Sequence, residues 1–127
     1  MSKIQISDKK IGGSNPVFII AEAGVNHNGN LELAKKLIDA AVSSGADAVK
    51  FQTFEADKVV TKSADKAQYQ KLETGDSDTQ YQMIKQLQFS RDEWIELWNY
   101  GKEKDIILFS KPSHTSALEL LLNLGSP

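Results

Sequence analysis

The stretch FIIAEAGVNHNG, residues 18–29, decides how this chain folds. It begins as a run of branched and aromatic residues suited to a buried strand. At Glu22 the run stops being apolar, and within six residues it has passed through Asn26, His27 and Asn28. No hydrophobic core favours that sequel. A strand that enters an interior and leaves a carboxylate at its tip fits parallel α/β architecture, where ligand sites form at the carboxyl ends of the strands.

Working outward, residues 17–21 (VFIIA), 47–52 (DAVKFQ) and 106–110 (IILFS) are three apolar runs of strand length. Helix-like stretches separate them. Asn30 suits a helix cap, Ala34, Leu37, Ile38, Ala41 and Val42 recur at helical spacing, and Gly45 suits the left-handed residue past the end. Ser90-Arg91-Asp92-Glu93 fits a capping box flanked by Phe89 and Trp94 as a hydrophobic staple, and this helix is expected to reach about Lys104. Residues 53–88 are too long for a bare connector. Within them, 79–88 reads as a short helix through Tyr81, Ile84 and Leu87, and 53–78 as polar cover over an opening in the fold. Residues 3–13 read as a small hairpin. The order is βαβαβα with parallel strands, because neighbouring strands of one direction need a helical crossover.

Composition bounds the function. The 127 residues suffice for one domain with a real core. Fifteen basic against 17 acidic residues, net −2 and spread along the chain, argue against a nucleic-acid groove or a membrane surface. The absence of cysteine excludes a disulfide scaffold and a thiolate metal site. The start MSKIQISDKK has no apolar signal core and no run approaches a membrane span, so a soluble cytoplasmic protein is expected.

The chemistry gathers at the strand ends. Side chains alternate along a strand, so Ala48, Lys50 and Gln52 share one face and Val49 and Phe51 the other. Glu22, Lys50 with Gln52, and Ser110 with Lys111 all fall where strands finish. A lysine within a buried strand is costly unless an anion pairs with it. Either a substrate anion or a purely structural ion pair with Glu22 satisfies that need. Asn26, His27 and Asn28 read first as turn residues. His27 and His114 lack the spacing of paired metal ligands. GVNHNG has neither the dinucleotide fingerprint nor the Walker lysine pattern. Trp94 and Trp98, one helical turn apart, read as packing residues.

Taken together, FIIAEAGVNHNGNLELAKKLIDAAVSSGADAVKFQTF and VVTKSADKAQYQK closely resemble the N-terminal part of the bacterial sialic acid (N-acetylneuraminate) synthase family, with its legionaminic and pseudaminic acid relatives. AEAG with FQTF is closer to the neuraminate and legionaminate branch. The resemblance implies a TIM barrel followed by a small antifreeze-like domain, a homodimer, and a divalent metal, usually manganese or magnesium. It implies condensation of phosphoenolpyruvate with an N-acetylated hexosamine such as N-acetylmannosamine, giving a nonulosonic acid and phosphate. Carried over by position, Glu22 matches a glutamate that handles protons near the reacting centre. Lys50 matches a lysine that binds the phosphoenolpyruvate anion, and Gln52 a glutamine that contacts the sugar. Asp76 lies in a segment corresponding loosely to a loop that touches the sugar.

Two departures from the family pattern stand out. Where relatives read Ser-Thr-Pro-Phe, this chain reads Ser110-Lys111-Pro112-Ser113, so Lys111 replaces a phosphate-contacting threonine and is expected to hold an anion in its own way. The chain also ends at NLGSP, so the expectation is a partial barrel over 1–127, with βα units from about 17 to 124, truncated after about three of them. The family's metal ligands and its antifreeze-like domain are expected to lie outside it, leaving the isolated chain inactive. The competing class is a non-catalytic anion-binding βαβαβα module.

Overall fold

The structure is a computed structural model and describes residues 2–60 and 79–127. Two short strands open the chain, β1 (Ile4–Ile6) and β2 (Lys9–Ile11), paired antiparallel around a turn in which Ser7 adopts φ 54°. The main sheet contains β3 (Ile20–Gly24), β4 (Ala48–Thr53) and β5 (Ile107–Pro112), parallel and side by side in that order. The described helices are α1 (Leu31–Ser43), α2 (Ala56–Val59), α3 (Gln80–Leu87), α4 (Arg91–Glu103) and α5 (Thr115–Leu124).

Local chemistry sets the helix starts. The Leu33 N–H donates to Asn30 Oδ1 at 3.1 Å, capping α1. At α4 the capping box is complete: Glu93 N–H donates to Ser90 Oγ at 3.2 Å and Ser90 N–H to Glu93 Oε1 at 3.0 Å. The Phe89 and Trp94 rings close the staple edge to face, 5.2 Å between centroids. A second capping box, Thr79 with Gln82, starts α3.

Helices α1, α4 and α5 cover one face of the sheet. Ala34, Ile38 and Ala41 of α1, Trp94, Leu97 and Trp98 of α4, and Leu121 of α5 pack with Val49, Phe51 and Leu108 into one core. Both tryptophans are packing residues. Gly101 lets α4 approach the sheet, since a Cβ there would collide with the Leu108 side chain. On the opposite face no described helix lies over Ile20, which is 45% exposed, and Phe18 meets Phe109 edge to face at 6.4 Å.

The first main strand lies three residues further along than the apolar run 17–21 suggests. Val17 is 82% exposed and Ile19 55%, while pairing begins with Ile20 opposite Ala48. The register is anchored at its base, where Ile19 N–H donates to Asp47 Oδ2 at 2.8 Å and the Asp47 N–H returns to the Ile19 carbonyl at 2.9 Å. Glu22 therefore sits inside the paired strand rather than past its tip.

Candidate active site

Parallel register brings the polar residues of adjacent strands together. Glu22 pairs with Lys50 across β3–β4, and Gln52 pairs with Lys111 across β4–β5. Residues directly opposite share a face, so all four belong to the face that α1 and α4 leave open. Lys50 Nζ lies 2.9 Å from Glu22 Oε2. Beyond Glu22 the register slips at a bulge, and Gly24 takes φ 55°. A Cβ on Gly24 would lie 3.3 Å from Glu22 Oε1 and 3.7 Å from Gln52 Nε2, so these two side chains flank one small opening that a glycine keeps clear. On the helix-covered face, Thr53 and Ser110 hydroxyls meet at 2.6 Å and tie the tips of β4 and β5 together.

Lys50 is less buried than its position between Val49 and Phe51 suggests. Its side chain is 42% exposed and that of Glu22 52%. The helices bury Val49, Phe51 and Thr53, whereas on the other face Ala48 is buried and Lys50 and Gln52 are only partly covered. Desolvation therefore does not force this lysine to find a partner; the pair exists because parallel register aligns it. Lys111 is exposed on the next strand. Asp76 lies outside the described residues.

His27 does more than shape its turn. The ring is 1% exposed, stacked on Phe89 at 4.2 Å and tilted against Phe51 at 6.2 Å. Gly29 N–H donates to its Nδ1 at 2.9 Å, while its buried Nε2 has no hydrogen-bond partner among the described residues. Burial lowers its pKa from 6.5 to about 4, against a smaller opposing pull from Glu93, so the imidazole is neutral at pH 7. Nothing local signals this, because Phe51 and Phe89 reach the ring only through the fold. His114 is structural: its Nε2 accepts the Glu55 N–H at 2.9 Å, so Nδ1 carries the hydrogen and donates to Ser116 Oγ at 2.9 Å, joining the start of α5 to the segment after β4.

Among the described residues no three His, Asp or Glu side chains gather to hold a metal ion. No described helix is long and apolar enough to cross a membrane. What the arrangement offers is an amine and an amide for anionic or hydroxylated groups, beside a carboxylate able to exchange a proton.

A parallel sheet backed by helices on one face, with an ion pair between adjacent strands on the other, defines an α/β protein of the kind that handles small polar ligands. Comparison with known proteins narrows this. Residues 37–127 match the sequence model of the NeuB family. The chain is 46% identical to N,N'-diacetyllegionaminic acid synthase of Legionella pneumophila and 36% identical to human N-acetylneuraminate-9-phosphate synthase, with 94% and 92% of the chain aligned. It superposes on the crystal structure of the N-acetylneuraminic acid synthetase of Leptospira borgpetersenii, solved with citrate, with TM-score 0.77 and 33% identity over 98% of the chain. The chain belongs to the NeuB family. It spans 35% and 32% of the length of the two synthases and 39% of the Leptospira chain.

Proposed function

We propose that this chain contributes the first strands of a TIM barrel in a nonulosonic acid synthase and carries part of its active site. The reaction is condensation of phosphoenolpyruvate with an N-acetylated hexosamine such as N-acetylmannosamine, in the cytoplasm. In it, water adds to C2 of phosphoenolpyruvate, C3 attacks the sugar aldehyde, and phosphate leaves. The observation that carries this reading is the Glu22–Lys50 pair, 2.9 Å apart on the sheet face that the helices leave uncovered.

Lys50 holds the carboxylate or phosphate of phosphoenolpyruvate, and Lys111 adds a second positive charge from the neighbouring strand. Glu22 moves protons at the reacting centre, Gln52 contacts the sugar, and Asp76 is a further sugar contact. A manganese or magnesium ion belongs to the complete site, and the complete enzyme is a homodimer. The isolated chain does not turn over, because a half-exposed Glu22–Lys50 pair in open water is screened and cannot exclude solvent from the reaction.

Isothermal calorimetry of the chain with phosphoenolpyruvate tests the reading. Binding that Lys50→Met removes is expected, with no product when N-acetylmannosamine and manganese are added. No binding, or binding indifferent to Lys50→Met, overturns the assignment of the anion site.

A further inference from the structure

We propose that His27 is a positioning residue for Glu22: its ring, seated between Phe51 and Phe89 and accepting the Gly29 N–H at Nδ1, fixes the tip of β3 through that hydrogen bond and so keeps the Glu22 carboxylate on Lys50. Three segments meet at this imidazole. Phe51 lies in β4 between Lys50 and Gln52, and Phe89 precedes the cap of α4. His27 itself is tied back to β3 by consecutive turns: Asn26 N–H donates to the Ala23 carbonyl at 3.1 Å, Asn28 N–H to Val25 at 3.1 Å, and Asn30 N–H to His27 at 2.9 Å. Ala23 is the neighbour of Glu22 at the bulge, so a displacement of the ring is passed through these bonds to the carboxylate.

The turn is held more firmly than a connector requires. Gly29 nests against the end of α3 so closely that a Cβ would strike the Gln86 carbonyl. A phenylalanine in place of His27 would fill the same slot but leave the Gly29 N–H without its acceptor at Nδ1. With Nδ1 accepting, Nε2 carries the hydrogen, and that donor is buried without a partner among the described residues. A residue selected for packing alone would avoid this cost. The imidazole serves two purposes, stacking on the Phe89 ring and a hydrogen bond that shapes the turn, and no other side chain of that size supplies both.

The importance of this geometry rests on Glu22 being the proton-handling group of the proposed reaction, but its existence is measured without substrate. The experiment records the carboxyl carbon signal of Glu22 by NMR in the wild-type chain and in His27→Phe, each with and without Lys50→Met. In the wild type, Lys50→Met displaces the Glu22 signal. In His27→Phe, with circular dichroism and tryptophan fluorescence unchanged, that displacement is expected to be at least about twofold smaller, the sign of coupling between the sites. His27→Asn, which restores an acceptor for Gly29 N–H without the stack, is expected to recover part of it. An equal displacement in wild type and His27→Phe overturns the proposal, as does failure of both variants to fold, which would make His27 a core residue only. Absence of phosphoenolpyruvate binding in the wild-type sample would count against the proposed anion site and leave the coupling result standing.

Discussion

Lys50 Nζ sits 2.9 Å from Glu22 Oε2, and both side chains remain about half exposed. A pair in that setting contributes little to stability, on the order of 0–1 kcal/mol. Under the proposed function, the pair on the open face of the sheet serves a ligand rather than the fold. Glu22→Gln is expected to change the unfolding free energy by less than about 1 kcal/mol in urea titrations. It should leave phosphoenolpyruvate binding intact or stronger, because it frees the amine. A destabilisation above about 2 kcal/mol would mark the pair as structural.

His27 makes stability depend on pH in a defined window. Its pKa is about 4 in the folded chain, below the 6.5 of an unfolded one, so the unfolded chain binds the proton more readily. The stabilising effect is complete above pH 6.5 and is lost as pH falls from there to about 4. The loss amounts to about 3 kcal/mol at most. Urea unfolding of the wild type and His27→Phe at pH 7 and pH 4.5 should show a steeper decline in the wild type. Parallel declines would contradict it.

Gly101 faces Leu108 so closely that the Leu108 methyls occupy the place of a Cβ. Alanine would improve helix propensity by up to about 1 kcal/mol, but overpacking costs about 1–3 kcal/mol. Gly101→Ala is expected to destabilise the fold. Combined with Leu108→Ala, it should cost less than the sum of the two single changes by about 1 kcal/mol, since the cavity left by one accommodates the other. Additive effects in a double-mutant cycle would contradict the contact.

Lys111 stands opposite Gln52 and is exposed. Lys111→Thr is expected to weaken phosphoenolpyruvate binding roughly fivefold, equivalent to about 1 kcal/mol. It should also flatten the dependence of affinity on salt, because one screened attraction is gone. Calorimetry at low and high ionic strength checks both. Unchanged affinity would remove Lys111 from the anion site.

Much of the fold was legible because its signals are local. Asn30, Ser90 with Glu93, and the Phe89–Trp94 staple act within one turn of their helices, so their pattern in the chain is their structure. The alternation in 48–52 likewise named Lys50 and Gln52 as companions before their neighbours were known. The extent of β3 was not legible, because an apolar run records where a strand is able to form, and only the register with β4 selects Ile20–Gly24 from it.

By itself the sequence determined the alternation of strands and helices, the caps, and the set of polar residues at the strand ends, since each depends on neighbours along the chain. The tertiary structure alone decided that Lys50 lies open beside Glu22 and that His27 is sealed between Phe51 and Phe89. Burial depends on which surfaces meet, and residues far apart in sequence supply those surfaces.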